Sequence, residues 1–233
     1  MSESFAVPAL PVPSVAVRGG TARFPVHRIY CVGRNFADHA AEMGASIDRG
    51  HPVFFMKPAD AVVPGGGDMP FPLATRDLHH EVELVVALGR DACGEVTEEE
   101  ADALVFGHGV GLDLTRRDLQ AQAKERRLPW DTAKGFDRSA PVSELVPASL
   151  QRPATDARLW LEVNGALRQQ ASLDTMVWSV AEVIAALSRL YALRAGDLVF
   201  MGTPAGVAAL SPGDRFRAGI DGLVEFEGGF AAS

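Results

Sequence analysis

The chain has 233 residues, 30 of them acidic and 22 basic, which gives a formal net charge of −8. The acidic balance argues against nucleic acids and anionic membrane surfaces as partners, and no apolar run reaches the roughly 18 residues of a membrane span. A hydrophobic content of 47% supports one well-packed domain, and two cysteines are too few for a disulfide framework, so we expect a cytoplasmic protein.

The first predicted elements are an extended N-terminal segment, a strand and a short helix. Residues 1–27 are rich in proline and glycine, which is typical of a strap of extended segments. We expect a single catalytic domain over residues 28–233. The apolar residues 28–32 predict a strand, and Asn35 is a suitable cap for a helix over residues 36–43.

Short strands with few helices dominate the rest of the chain. In chain order we predict strands over 53–56 and 80–88, a helix over 97–104, a glycine-rich strand over 107–114, a helix over 115–127, a hairpin over 159–170, a helix after 179 and a strand over 198–201. Three pairs have the spacing of capping boxes: Thr97 with Glu100, Thr115 with Asp118, and Ser179 with Glu182. These elements favour a mostly-β (α+β) fold.

Three acidic residues on apolar strands indicate a metal site. Glu81 and Glu83 are two apart in a predicted strand, so their carboxylates share one face and repel unless a cation or a shared proton compensates. Asp113 ends a glycine-rich apolar strand, where a buried charge is costly unless it is paired. Together they fit Mg²⁺, Mn²⁺ or Ca²⁺ better than zinc. The alternative is an exposed acidic face with a partly exposed aspartate at a strand end.

The helix after Asp113 carries groups that can bind anionic or carbonyl oxygens. Arg117 and Gln120 are three apart, and Arg116 and Gln120 are four apart, so both pairs are neighbours on a helix surface. They can grip a ligand beside the metal carboxylates, or they belong to a solvated basic face. Lys134 is unremarkable by itself.

A candidate general base lies on the first short helix. His39 and Glu42 are three apart, and a carboxylate beside an imidazole can act as a base. The alternative is an ordinary pair on the protein surface. His79 and His80 precede the glutamates and are candidates for supporting groups or further ligands, although they lack the spacing of a zinc site.

Several motifs occur together in an order that is specific for one family. They are Cys31-Val32-Gly33-Arg34-Asn35-Phe36-Ala37-Asp38-His39, Phe55-Met56-Lys57-Pro58, His79-His80-Glu81-Val82-Glu83-Leu84, Asp113-Leu114-Thr115-Arg116-Arg117-Asp118-Leu119-Gln120, Leu128-Pro129-Trp130, Ala133-Lys134-Gly135-Phe136 and Gly202-Thr203-Pro204. Over about residues 28–230 the set resembles the fumarylacetoacetate hydrolase family, in its short acylpyruvate hydrolase branch. The resemblance implies a mixed β-roll with few short helices, a homodimer, and a Mg²⁺ or Mn²⁺ site, with Ca²⁺ as a further option.

The resemblance also implies a role for each matching residue. Glu81, Glu83 and Asp113 match the family's metal ligands, and His39 and Glu42 match the lid dyad that activates water. The positions that match substrate-binding or oxyanion-stabilising groups are Arg34, Lys57, Arg117, Gln120, Lys134 and Thr203. Of these, Lys134 is also expected to be catalytic.

Within this branch the chain is most similar to fumarylpyruvate hydrolases that act in the degradation of gentisate, an aromatic compound. The likeness is carried by residues 54–63, by the doubled Arg116-Arg117 and by residues 136–141. It implies hydrolysis of a C–C bond in a small anionic 2,4-dioxo acid, fumarylpyruvate, and we hypothesise that Arg116 binds the distal carboxylate. The alternatives are hydrolysis of acetylpyruvate or decarboxylation of oxaloacetate at the same site, or a metal-stabilised scaffold without activity.

Overall fold

A computed structural model of the chain describes residues 5–42, 49–92 and 94–232. Strands predominate over a few short helices, which confirms the prediction of a mostly-β fold. The strands form curled sheets around two hydrophobic clusters. No helix in the described part of the chain is long and apolar enough to cross a bilayer.

The described residues form eighteen strands. They are β1 (Ser14–Ala16), β2 (Arg23–Pro25), β3 (Arg28–Gly33), β4 (Val53–Lys57), β5 (Val62–Pro64), β6 (Gly66–Met69), β7 (Leu78–His79), β8 (Val82–Leu88), β9 (Val105–Leu112), β10 (Thr115–Arg116), β11 (Ala140–Val142), β12 (Val146–Pro147), β13 (Arg158–Val163), β14 (Ala166–Ser172), β15 (Asp197–Phe200), β16 (Ala209–Leu210), β17 (Arg215–Ile220) and β18 (Val224–Phe230).

The helices of the same residues are short. They are α1 (Ala37–Glu42), α2 (Glu98–Ala101), α3 (Arg117–Arg126), α4 (Asp131–Lys134) and α5 (Val180–Ser188), with single 3₁₀ turns at Ala59–Ala61, Asp102–Leu104 and Leu173–Thr175.

The largest sheet forms the centre of the fold. Its strand order is β4-β3-β15-β8-β9-β11-β5, with β12 beside β9, and a second sheet in the order β14-β13-β17-β18-β6 contacts β8 and β9. Strand β8 is buried on both faces, because Leu84 and Val86 enter one hydrophobic cluster while Val85 and Ala87 enter the other. The two remaining sheets are small, with the orders β10-β7-β16 and β1-β2.

Strand β9 is rich in glycine because its neighbours come too close for side chains. A Cβ atom at Gly111 would lie 2.8 Å from Cε1 of Phe200 and 2.9 Å from Cγ2 of Val85. A Cβ at Gly107 would lie 2.4 Å from the carbonyl oxygen of Val146. The close approach predicted from the glycine-rich sequence is thus made by other parts of the protein.

Two of the three predicted capping boxes are present, at Thr97 with Glu100 and at Ser179 with Glu182. The third prediction is wrong. Thr115 belongs to β10 and its hydroxyl donates to the Asp113 carbonyl, so α3 begins only at Arg117. Asp118 accepts instead from the hydroxyl of Thr75 and the backbone N–H of Arg76, which ties α3 to the preceding loop.

The predicted cap at Asn35 is also wrong, because its side chain is used elsewhere. Asn35 Oδ1 accepts from Trp178 N at 2.7 Å, and Nδ2 donates to the carbonyls of Trp178 and Met201. The residue is fully buried. Asn35 therefore fixes the loop between β3 and α1 against two distant segments, a role that local sequence patterns do not indicate.

The described part of the N-terminal strap contains two short strands. Strands β1 and β2 pair with each other, and Leu145 N donates to Ala16 O at 2.8 Å. Val15, Phe24 and Val26 enter the second hydrophobic cluster. These contacts attach the strap to the central sheet, and the boundary at residue 27 stays a prediction.

Candidate active site

Three buried carboxylates lie together at one end of β8 and β9. Glu81, Glu83 and Asp113 are 5%, 2% and 0% exposed, and one oxygen of each lies within 4.8 Å of the others. The antiparallel register brings them together, because Asp113 N donates to Glu81 O at 2.8 Å, just beyond the Val82–Leu112 pair. Glu83 follows two residues later on the same face. The alternative of an exposed acidic face is therefore excluded.

This cluster is suited to a cation. Burial, followed by the charges of Asp113 and Glu81, raises the pKa of Glu83 well above its usual range. Glu83 Oε2 accepts a hydrogen bond from Gly202 N at 2.7 Å, whereas Asp113 Oδ1 is compensated among the described residues by the ammonium group of Lys57. Three converging buried carboxylates fit a hard divalent ion, which prefers oxygen ligands.

Two buried lysines compensate part of the negative charge. Lys134 Nζ lies 2.8 Å from Glu81 Oε2 and 2.5 Å from Asp113 Oδ2. Burial lowers the pKa of Lys134, but Asp113 and Glu81 outweigh burial and hold it above its ordinary value. Lys57 Nζ lies 2.8 Å from Asp113 Oδ1 and donates to the carbonyls of Leu114 and Lys134. The ammonium group of Lys57 is thus directed at protein atoms and helps to position Asp113, and the substrate contact predicted for Lys57 stays a prediction.

Arg117 and Gln120 lie beside the carboxylates. Arg117 begins α3, and its guanidinium donates to Gln120 Oε1 at 2.6 Å and to Glu81 Oε1. Both side chains line the same cavity as the three carboxylates. The i, i+3 spacing therefore brings a guanidinium and an amide to the place where an oxygen of a ligand would lie.

Thr203 enters this cavity from the loop after β15, and Gln169 holds it there. Gln169 Nε2 donates to Thr203 Oγ1 and to Pro204 O, both at 2.8 Å. Its Oε1 accepts from Val82 N at 3.1 Å and lies 2.8 Å from His80 Nδ1. One buried amide thus joins the strand of the glutamates to the loop of Thr203. No sequence pattern indicated Gln169, because its hairpin strand is otherwise exposed and polar.

The helix that carries the predicted dyad contacts the same loop. Glu42, at the end of α1, accepts a hydrogen bond from Gly206 N at 3.2 Å. The side chain of His39 and residues 43–48 lie outside the described part of the chain. The arrangement of His39 with Glu42 therefore stays a prediction.

Two exposed cations, Arg34 and Lys124, line the cavity together with the buried groups. Arg34 was expected from the family motif. Lys124 was missed, although it follows Gln120 by four residues and so shares its helix face. Lys124 Nζ lies 5.4 Å from the centre of the Trp130 ring, and partial burial, followed by the charge of Arg117, lowers the pKa of Lys124.

Arg116 borders a different cavity in the described structure. Its guanidinium carbon lies 4.3 Å from the centre of the Phe136 ring, and Nη1 donates to Thr132 O at 3.1 Å. Asp137 and Arg138 line the same separate space, which has a volume of about 680 Å³. The structure thus does not bring Arg116 to the three buried carboxylates, and its predicted contact with a distal carboxylate stays a prediction that this placement does not support.

Comparison with known families identifies the kind of protein. The family model of the fumarylacetoacetate (FAA) hydrolase C-terminal domain matches residues 28–230. This chain belongs to the fumarylacetoacetate hydrolase family. The resemblance inferred from the sequence motifs and the fold that it implied are both confirmed.

The chain is similar to individual family members that are named for different reactions. The crystal structure of fumarylpyruvate hydrolase from Pseudomonas aeruginosa, in complex with Mn²⁺ and pyruvate, is 44% identical, covers 99% of this chain and 100% of its own, and has a TM-score of 0.95. Oxaloacetate tautomerase FAHD1, mitochondrial, from Rattus norvegicus is 45% identical over 84% of this chain and 88% of its own length. Oxaloacetate tautomerase YcgM from Escherichia coli (strain K12) is 38% identical over 88% of this chain and 93% of its own length.

Proposed function

We propose that this chain is a divalent-metal-dependent hydrolase that cleaves fumarylpyruvate, a 2,4-dioxo acid, into fumarate and pyruvate. The observation that carries the proposal is the buried set of Glu81, Glu83 and Asp113, which shares one cavity with Arg117, Gln120 and Lys134. A metal site beside fixed hydrogen-bond donors suits the cleavage of a chelating dioxo acid. The similar Pseudomonas enzyme carries this activity in its name and holds Mn²⁺.

The three carboxylates would hold Mg²⁺ or Mn²⁺, with Ca²⁺ as a weaker candidate because it prefers more ligands. When bound, the ion supplies Lewis-acid polarisation of the carboxylate and 2-oxo end of the substrate. Thr203 lies beside these carboxylates, and since its oxygen accepts from Gln169, its own hydroxyl hydrogen is left to donate to the substrate's carboxylate end.

The residues around the cavity would divide the reaction between them. In our proposal His39, oriented by Glu42, takes one proton from water, and the resulting hydroxide bonds to C4 of the substrate. Arg117, Gln120 and Lys134 donate to the oxyanion that forms on the C4 oxygen. The C3–C4 bond then breaks with its electron pair moving to C3, and His39 returns the proton to C3. The second proton of the water leaves from the new carboxyl group, so the products are fumarate and pyruvate.

A second candidate is a reaction on oxaloacetate. The rat relative that is 45% identical is an oxaloacetate tautomerase, and its substrate offers the same carboxylate and 2-oxo group to a metal. Tautomerisation or decarboxylation of oxaloacetate would use the same three carboxylates. Acetylpyruvate hydrolysis is the remaining alternative within the family branch.

A substrate panel tests these candidates against each other. Purified protein is assayed with fumarylpyruvate, acetylpyruvate and oxaloacetate, with Mg²⁺ and Mn²⁺ in turn. We expect the highest kcat/KM for fumarylpyruvate with either ion, and no turnover after chelation. A higher kcat/KM for enol–keto exchange or decarboxylation of oxaloacetate would replace the proposal by the second candidate. No turnover of any of the three would leave a metal-stabilised scaffold.

We also propose that the enzyme acts in the cytoplasm as a homodimer, in the breakdown of aromatic compounds by way of gentisate. The substrate is a small anion, and neither a membrane nor a nucleic acid is expected as a partner for a chain with a net charge of −8. Light scattering coupled to gel filtration tests the dimer directly. A monomer with full activity would contradict it.

A further inference from the structure

The helix α3 presents three polar side chains to the cavity in a single stripe. Gln120 follows Arg117 by three residues, and Lys124 follows Gln120 by four, so all three lie on one face. A helix rises about 1.5 Å per residue, which places Lys124 about 10 Å beyond Arg117 along the axis. All three line the cavity, with Arg117 at the carboxylate cluster and Lys124 at the exposed side.

The cations at the exposed side differ from those at the buried side in having no ion pair with another described residue. Arg117 and Lys134 are both paired with Glu81. Neither Arg34 nor Lys124 has a carboxylate of the described residues within ion-pair distance, and the Trp130 ring lies beside Lys124. Two cations without anionic partners on the wall of a binding cavity are suited to an anionic part of a ligand.

The backbone at Arg34 is held in an unfavourable conformation. Its φ angle is +64°, in the left-handed region that an arginine rarely occupies. The hydrogen bonds of buried Asn35 to Trp178 and Met201 fix the following residue. Strain that is maintained by a rigid neighbour is common at ligand sites, and here it holds an arginine in the wall of the cavity.

The charges around the cavity are consistent with a ligand that carries more than one negative charge. Four cationic side chains line it against three carboxylates, and a divalent ion would raise the surplus from one to three. A substrate with a single carboxylate compensates less of this surplus than a dicarboxylate does.

We propose that Lys124, together with Arg34, binds the distal carboxylate of a dicarboxylic 2,4-dioxo acid and so sets the preference for fumarylpyruvate over acylpyruvates whose acyl group is uncharged. This inference rests on the proposed hydrolase function and replaces Arg116 as the candidate for that contact. The competing arrangement is a neutral acyl group in the neighbouring cavity of about 440 Å³, which is lined by Phe54, Phe55, Met56 and Trp130.

The test is the substrate preference of Lys124→Met, which keeps the aliphatic stem and removes the charge. We expect the ratio of kcat/KM for fumarylpyruvate to that for acetylpyruvate to fall by roughly 10- to 100-fold, the effect of losing one charged hydrogen bond. Lys124→Arg should restore most of the ratio. The matched control is Arg126→Met, an exposed cation of the same helix that does not line the cavity.

An unchanged ratio in Lys124→Met would overturn the inference while leaving the hydrolase function intact. So would a fall in the ratio for Arg116→Met in place of Lys124→Met. If the unmodified enzyme cleaves neither dioxo acid, the proposed function fails. The inference is then decided by calorimetry of fumarylpyruvate binding to the Mn²⁺-loaded protein. Lys124→Met should weaken this binding by the same factor of roughly 10 to 100. Equal affinities of the two proteins would overturn the inference.

Discussion

The two ends of the cavity are built in different ways. At the inner end, Glu81, Glu83 and Asp113 are buried at the ends of two central strands, and lysine, arginine and backbone groups contact their oxygens. At the outer end, Arg34 and Lys124 are exposed, lie on a loop and a helix, and have no anionic partner among the described residues. The difference suggests that the inner end fixes the chemistry and the outer end selects the substrate.

The strongest test of the inner end is Glu83→Gln. The carboxamide keeps the shape of the side chain but removes the charge that an ion requires. We expect Mn²⁺ affinity and kcat/KM to fall together by more than about 100-fold, measured by calorimetry and by the fumarylpyruvate assay. Glu125→Gln, on the exposed surface of α3, is the control. Retained affinity for Mn²⁺ would count against Glu83 as a ligand.

The comparison also predicts that two lysine substitutions change the free energy of unfolding by very different amounts. Lys57→Met removes one of the two buried lysines that contact Asp113 and leaves two backbone carbonyls without this donor, so the free energy of unfolding should fall by about 3–5 kcal/mol. Lys124→Met removes an exposed, unpaired charge and should change it by about 0.5 kcal/mol or less. Urea unfolding of the metal-free proteins measures both. Similar losses of unfolding free energy in the two variants would contradict the distinction between the inner and outer ends of the cavity.

Glu42→Gln separates catalysis from metal binding. Glu42 lies on α1, away from the inner carboxylates in sequence, and its hydrogen bond from Gly206 can be kept by the amide oxygen. We expect kcat to fall about 100-fold because the base loses its partner, with the Mn²⁺ affinity retained. Asp38→Asn on the same helix is the control. A parallel loss of Mn²⁺ affinity would place Glu42 with the inner end instead.

A smaller, pH-dependent effect on stability is expected from the buried imidazole of His108, whose Nδ1 has no hydrogen-bond partner among the described residues. His108 is 5% exposed, and burial, followed by the charge of Arg152, lowers its pKa to about 4. The unfolded chain, with a pKa near 6.5, binds the proton more readily, so stability falls as the pH falls below 6.5. His108→Leu should remove about 2 kcal/mol of that loss between pH 6.5 and about pH 5. Parallel pH profiles of unfolding for the two proteins would contradict this.

The sequence predicted the parts of the site that depend on local spacing. Glu81 and Glu83 share a face because a strand alternates, and Arg117 with Gln120 are neighbours because a helix repeats. The cost of burying Asp113 correctly indicated a charged partner. The mostly-β class followed from many short strands, and two of the three capping boxes were correct.

The remaining features depend on contacts between distant segments. Asn35 forms hydrogen bonds with a segment more than a hundred residues away in the sequence, and Gln169 with a loop about thirty residues away. No local sequence period can therefore indicate their roles. Arg116 and Arg117 are adjacent, and only the folded chain shows that Arg117, at the start of α3, contacts the carboxylate cluster. Lys57 was expected to contact the substrate because it matches a family position, and its hydrogen bonds to the carbonyls of Leu114 and Lys134 exist only in the folded chain.

The ammonium group of Lys134 has a consequence for the way in which a metal would bind. By bridging Glu81 and Asp113 it acts as an internal counter-ion, so these two carboxylates stay assembled before a metal arrives. If a divalent ion binds as proposed, it would find these carboxylates already in place, and its release would leave them paired with Lys134.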